Sequence, residues 1–220
     1  MIIIRKFFSL VACTLVTAAF AQNTRATLRK TVNSLYSDIR KKCGKDIEIL
    51  DEKYKAIAGK SPNGSLSKAD EQEYTKQFNT LKSSYSDCQN KNQPQKVETL
   101  KSLLEQVEKE NKEASSIKNN SPSSAAQPFS PDIIRNEVIK AFSGSELLEN
   151  QDAPLKLRFN FIVDKDGIMK EVKVTGTDNE EIKLFSALNF YSIQKVFLPE
   201  MKNGEPIRNM YSLPVTLAIE

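Results

Sequence analysis

Two different hydrophobic periods divide the chain. From Leu28 to Ile57 the apolar residues Leu28, Val32, Leu35, Ile39, Cys43, Ile47, Leu50, Tyr54 and Ile57 recur at steps of three and four. That spacing puts them on one face of a helix. Ser61-Pro62-Asn63-Gly64-Ser65 then supplies turn chemistry that ends it. Ser67, with Asp70 three residues on, has the form of a capping box for a second helix, whose stripe is Tyr74, Phe78, Leu81, Tyr85 and Cys88. Pro94 predicts a break, and Val97, Leu100, Leu103 or Leu104, and Val107 predict a third, shorter helix. Beyond it, Asn111 to Pro131 is dominated by Ser, Asn, Ala and Pro. Such a stretch buries too little apolar surface to offset its ordering entropy, and it reads as a linker.

After Pro131, Ile133, Ile134, Val138, Ile139 and Phe142 mark a short amphipathic helix, and then the period falls to two. Leu155, Leu157, Phe159, Phe161 and Val163 alternate with Lys156, Arg158, Asn160 and Ile162, the pattern of a half-buried strand. Asp164-Lys165-Asp166-Gly167 reads as a tight turn into a strand carrying Val172 and Val174. A helix capped near Asp178 follows, bringing Ile182, Phe185, Leu188 and Tyr191 toward the sheet. After a turn at Lys202 to Pro206, Tyr211, Leu213, Val215, Leu217 and Ile219 alternate to the end. The predicted class is α+β, a helical hairpin or small bundle followed by a two-layer α-β-β-α-β domain with an antiparallel sheet. The expected boundaries are 1–21 for a signal peptide, 22–109 for a coiled-coil-like domain, 110–130 for a disordered linker and 131–220 for the C-terminal domain.

The N-terminus changes the picture by naming a compartment. Arg5 and Lys6 precede an uncharged, mostly apolar run to Phe20, and Ala19-Phe20-Ala21 offers small residues before Gln22, the layout of a cleaved export signal. An uncleaved anchor is the alternative, and Leu10-Val11-Ala12-Cys13 has the pattern of a lipidated one. Cleavage removes Cys13 and two positive charges, taking the net charge from +4 to +2. It leaves Cys43 and Cys88, an even pair that suits a disulfide in an oxidising space; two buried free thiols are the other reading. A hairpin symmetric about Pro62 would leave the two cysteines roughly 10 Å out of register.

The C-terminal half resembles the C-terminal domain of the TonB family of energy transducers, over about 65 of the 220 residues. The resemblance lies in the order of Phe159 to Gly167, Val172 to Val174, Leu184-Phe185-Ser186-Ala187-Leu188, Phe197-Leu198-Pro199, Asn203-Gly204-Glu205-Pro206 and Leu213-Pro214-Val215. It implies docking on an outer-membrane protein by strand addition, in which an extended segment pairs with a sheet edge. The matching edge would be the last strand, with Met210, Tyr211, Ser212, Leu213, Val215, Leu217 and Ile219 as binding residues. Pro214 suits an edge because proline donates no ladder hydrogen bond. The chain departs from the family in having no histidine, no long Pro-rich spacer and a signal of cleavable form.

Catalytic chemistry is sparse. With no His, no phosphate-binding glycine loop and at most two thiols after cleavage, read as paired, most nucleophilic triads and zinc sites are excluded. Asp164 and Asp166 lie in a turn that lacks the further oxygen ligands of a calcium loop, and Glu180-Glu181 read as a solvated helix start. The charge distribution is too even for a nucleic-acid surface. The expectation is a non-enzymatic, exported binding protein without cofactor, metal or small-molecule substrate, partnered by a protein or peptide, with the helical part as a spacer or self-association module. The helical stripes read either as the core of a small bundle or as a surface that grips another helix. A membrane-anchored transducer and a secreted structural or assembly protein are the alternatives. Intact mass of the unreduced protein from its host tests the N-terminal reading. A chain starting at Gln22 and two mass units light is the expected result, and retention of Met1 to Ala21 would refute it.

Overall fold

The computed structural model describes residues 4–116, 128–143, 145–149, 153–193 and 197–218, with their side chains except those of residues 4–26, 114–116, 146 and 149. Its elements are α1 (Ile4–Ala58), α2 (Lys68–Ser116), α3 (Pro131–Phe142), α4 (Glu146–Glu149), β1 (Leu155–Val163), β2 (Met169–Thr175), α5 (Glu180–Tyr191), β3 (Glu200–Lys202), β4 (Glu205–Ile207) and β5 (Asn209–Leu217). The α+β class holds, with long helices followed by a small antiparallel sheet. Two compact units form, one of residues 33–96 and one joining the chain up to Val32 with 97–220. Their boundaries cut through both long helices, not through the stretch 110–130. Among the described residues no helix is long and apolar enough to cross a membrane. The expected signal, 1–21, falls where side chains are not described.

In the unit 33–96, α1 and α2 pair antiparallel. Ser67 starts α2 as expected: its Oγ accepts from Asp70 N at 3.2 Å and donates to Asp70 Oδ2 at 2.6 Å. Cys43 and Cys88 form a disulfide, S–S 2.01 Å and Cα–Cα 5.6 Å. The register offset is smaller than symmetry about Pro62 implies, because Pro62 is not the midpoint. Cys43 lies 15 residues before the end of α1 and Cys88 lies 20 after the start of α2. α2 therefore overshoots by five residues, about 7.5 Å, and the loop between the helices absorbs the difference.

Around the bridge, Asn92 Nδ2 donates to Cys88 O at 2.7 Å and Asn92 Oδ1 accepts from Lys42 Nζ at 3.0 Å. Toward the tip, Tyr54 and Tyr74 meet edge to face at 5.2 Å, and Tyr74 OH donates to Asp51 at 2.9 Å. The expected break at Pro94 does not occur: α2 runs through it to Ser116, so the third helix is the second half of α2. A helix-interior proline costs about 3 kcal/mol. Here the seam on either side, Cys88 bonded to α1 and Lys96 lying over the Tyr36 ring at 4.8 Å, holds the helix together. α2 thereby takes up the start of the expected linker, and residues 117–127 lie outside the described residues.

In the other unit β1 is central, in the order β2-β1-β5, with both pairings antiparallel. The odd residues of β1 are buried as the period-two pattern requires, and they meet Leu213, Val215 and Leu217 from β5. α5 covers this face and is buried on nearly every side. Its polar members bond to their own helix: Ser186 Oγ donates to Ile182 O and Asn189 Nδ2 to Phe185 O at 2.9 Å, while Asn189 Oδ1 is buried without a hydrogen-bond partner among the described residues. α3 adds Ile134, Val138 and Phe142, the last edge to face with Phe185 at 4.9 Å. Phe129, in the stretch read as linker, stacks on Tyr211 at 4.2 Å and contacts Phe161 and Phe197.

Three local expectations need correction. The cap of α5 is Asn179, whose side chain accepts from Ile182 N, not Asp178. Glu181 is buried while Glu180 pairs with Lys101 at 3.0 Å, so the pair is not a solvated face. The segment around Asn203-Gly204 is a full hairpin, β3–β4, with both turn residues at positive φ. The disulfide closes a separation of 45 residues, worth about 3–4 kcal/mol by chain entropy. Replacing both cysteines with serine is expected to lower the helical circular-dichroism melt while amide protection in β1 persists. An unchanged melt would show that the seam alone sustains the hairpin.

Candidate functional site

With β1 central, the sheet has two edges, and they differ. Between Asn160 and Ile162 the β1–β2 register slips, so Glu171 and Val172 together face Phe161. Glu171 takes a left-handed φ of 51° to make this bulge. The displaced Val172 N–H donates to the buried Tyr191 OH at 3.0 Å. The last turns of α2 lie beside it: Glu108, Asn111 and Lys112 share with Lys170, Glu171, Lys173, Tyr191 and Arg208 a cavity of about 470 Å³. At the other end of β2, Gly176 sits at φ 99°, where a Cβ would lie 2.1 Å from Lys156 O. Only glycine fits that close approach. The β2 edge is bent and flanked.

The β5 edge is regular over nine residue pairs, from Leu155 opposite Leu217 to Val163 opposite Asn209. Thr175 Oγ1 donates to Arg158 O at 3.5 Å, so the backbone groups of Arg158 point to β2 and away from β5. Its partner Pro214 therefore stands in a pair without mutual hydrogen bonds, its carbonyl turned outward, where Arg135 Nε donates to it at 3.4 Å. By the period of two, Met210, Ser212 and Thr216 also turn their N–H and C=O groups outward. Among the described residues no strand pairs with that side of β5.

The parity sorts the residues expected to bind. Met210 and Ser212 are exposed and present outward backbone; Met210 is the most exposed large apolar side chain of the described residues, at 73%. Leu213, Val215 and Leu217 are buried and hydrogen-bond inward to β1, so they hold the edge in place without facing a partner. Tyr211 is half-buried under Phe129. Ile219 lies outside the described residues. The structure adds Thr216, Arg135 and Arg158, which sequence alone did not single out. The first was legible in its even spacing from Pro214; the two arginines were not, because they reach the edge from α3 and β1.

The Asp164–Gly167 turn is neutralised from within. Gly167 N donates to Asp164 O at 2.8 Å, and Ile168 N to Asp166 Oδ1 at 2.9 Å. The buried Lys170 ammonium bridges Asp164 at 2.8 Å and Asp166 at 2.6 Å, taking the place a cation would need. Burial pushes the Asp164 carboxyl up, but hydrogen bonds from Lys170 and from Lys165 N–H, with the Lys170 and Arg208 charges, outweigh it and hold the group below its ordinary value. Among the described residues no group of three or more His, Cys, Asp or Glu could hold a metal ion. No family model, curated protein or solved structure matches this chain.

Lys170→Met strips both carboxylates of their partner and is expected to cost about 2–3 kcal/mol at pH 7. Because the folded Asp164 value is depressed, its stabilisation is complete above the ordinary carboxylate range and is lost as pH falls through the folded value. The gap between wild type and variant, read by hydrogen exchange in β1 and β2, should therefore close only in acid. A gap unchanged down to pH 2 would refute the ion-pair origin.

Proposed function

We propose that this is an exported, non-enzymatic binding protein of the bacterial envelope that takes up an extended segment of a protein or peptide partner along β5. The observation that carries the reading is the asymmetry of the sheet. One edge is bulged, with the end of α2 beside it, while the other, against which α3 packs with Arg135 at Pro214 O, keeps a regular strand with outward backbone groups at Met210, Ser212 and Thr216. Edge strands left open in this way are templates for pairing, and proteins that have no use for them cover or distort them. Pro214 removes one donor and Arg135 occupies its carbonyl, so the edge is gated at its middle and the pairing is confined to defined positions. The disulfide is compatible with an extracytoplasmic setting. The TonB-like order of motifs and the signal-like N-terminus support the same reading, with an outer-membrane protein as the partner and the helical pair as spacer or self-association module.

The test is selection of a random eight-residue display library on the full chain, followed by backbone chemistry on the binders. N-methylation at alternate residues of a selected peptide should abolish binding, and amide protection should appear at Met210, Ser212 and Thr216. Thr216→Pro removes an outward N–H without touching the β1 ladder and should weaken binding about tenfold. Binders indifferent to both changes would sink strand addition.

A further inference from the structure

The open face of the sheet carries, among the described residues, an arginine that no carboxylate pairs with. On the side away from α5, β1 exposes Lys156 and Arg158, and β2 adds Lys173. No carboxylate stands on that face of β1 or β5. Arg158 is the central one of these. It lies opposite Pro214, and its guanidinium donates from Nη1 to Ser212 Oγ at 3.3 Å, so it is laid across β5 toward the outer edge. It has no carboxylate partner among the described residues, whereas Arg208 is paired with Glu171 and Arg135 with Asp132. From the opposite face Arg135 reaches the same stretch of edge at Pro214 O. Two guanidinium groups thus flank the edge between Ser212 and Pro214, and among the described residues only the one on the open face lacks an anion.

We propose that the segment accepted by β5 is acidic, with a carboxylate seated against Arg158 and an apolar side chain beside Met210. This rests on the strand-addition reading above and specifies its ligand. A residue paired with Ser212 on an added strand stands on the open face, roughly 5 Å away between Cβ atoms. A carboxylate there can take both arms of the Arg158 fork in place of the single Ser212 hydroxyl. Met210 lies two residues along on the same face, so the partner carries its acidic and apolar residues two apart. A second copy pairing through the same edge would gather two sets of Arg158 and Lys156 on one face with no carboxylate between them. Charge disfavours that occupant.

The display selection decides it when run in parallel on wild type and Arg158→Glu. Wild type should enrich sequences with Asp or Glu two residues from an apolar residue. Those peptides should lose at least about tenfold in affinity on Arg158→Glu and weaken with added salt. Peptides with Lys in place of the acid should recover binding to Arg158→Glu. Enrichment of neutral or basic sequences, or affinity unmoved by Arg158→Glu, overturns the proposal. If such binding is still lost on Thr216→Pro, strand addition stands and only the acidic specificity fails. Acid-selective binding that ignores Thr216→Pro overturns the proposed register and strand addition with it. A dimer that Thr216→Pro dissociates, with no peptide enriched, would make a second copy the occupant and overturn the proposal.

Discussion

The pairing of β1 with β5 is the constraint on which the C-terminal unit depends. Nine residue pairs without a slip lock the parity of β5, and that parity decides everything seen at the edge. Odd residues go to the core and to β1; even residues go to solvent and turn their backbone outward. A shift of one residue would bury Met210, Ser212 and Thr216 and expose Leu213, Val215 and Leu217. The buried row, at 4%, 1% and 2% exposure for the last three, makes that slip costly, since each such side chain contributes about 1.5–3 kcal/mol on burial. Pro214 reinforces the choice, because facing β1 it would leave a ladder acceptor without a donor. The same interaction that stabilises the sheet thus sets which groups remain for a partner.

The sheet's other edge shows the cost of a different solution. The bulge at Glu171 and Val172 gives up regular pairing, and the lost hydrogen bond is recovered from the Tyr191 hydroxyl at the end of α5. Lys170, at the same corner, is buried only because two carboxylates of the preceding turn meet its ammonium. Local satisfaction of polar groups recurs in part inside α5, where the Ser186 hydroxyl and the Asn189 amide N–H bond to their own helix and Asn189 Oδ1 meets no partner among the described residues. A helix buried on nearly all sides needs such devices, since an unmet buried polar group costs about 1–3 kcal/mol.

The helical unit solves a different problem. Two helices side by side enclose little: of residues 33–96 the buried apolar side chains are Leu50 and Tyr54. A seam this thin supplies limited hydrophobic stabilisation, and small cores of this kind are usually supplemented by a covalent link. The Cys43–Cys88 bridge is that link, and it sits near the middle of the paired stretch, where it opposes separation in both directions.

The sequence by itself determined the two periods, and with them the division into long helices and a small antiparallel sheet. Hydrophobic spacing is a property of each segment alone, so Leu28 to Ile57 and Leu155 to Val163 were legible without any neighbour. The Ser67–Asp70 cap and the Asp164–Gly167 turn were legible for the same reason, being closed within a few residues. What the tertiary structure decided lay in contacts between segments. Pro94 reads as a break because local propensity says so, yet packing and the disulfide carry α2 through it. Phe129 reads as linker because its neighbours are polar, yet it joins an aromatic cluster drawn from β1, β5 and Phe197. Arg158 was visible only as the polar phase of a strand, and its place at the β5 edge follows from the pairing of residues more than 50 positions apart. Side-chain period is set by the local backbone, but which edge stays open is set by which strands meet.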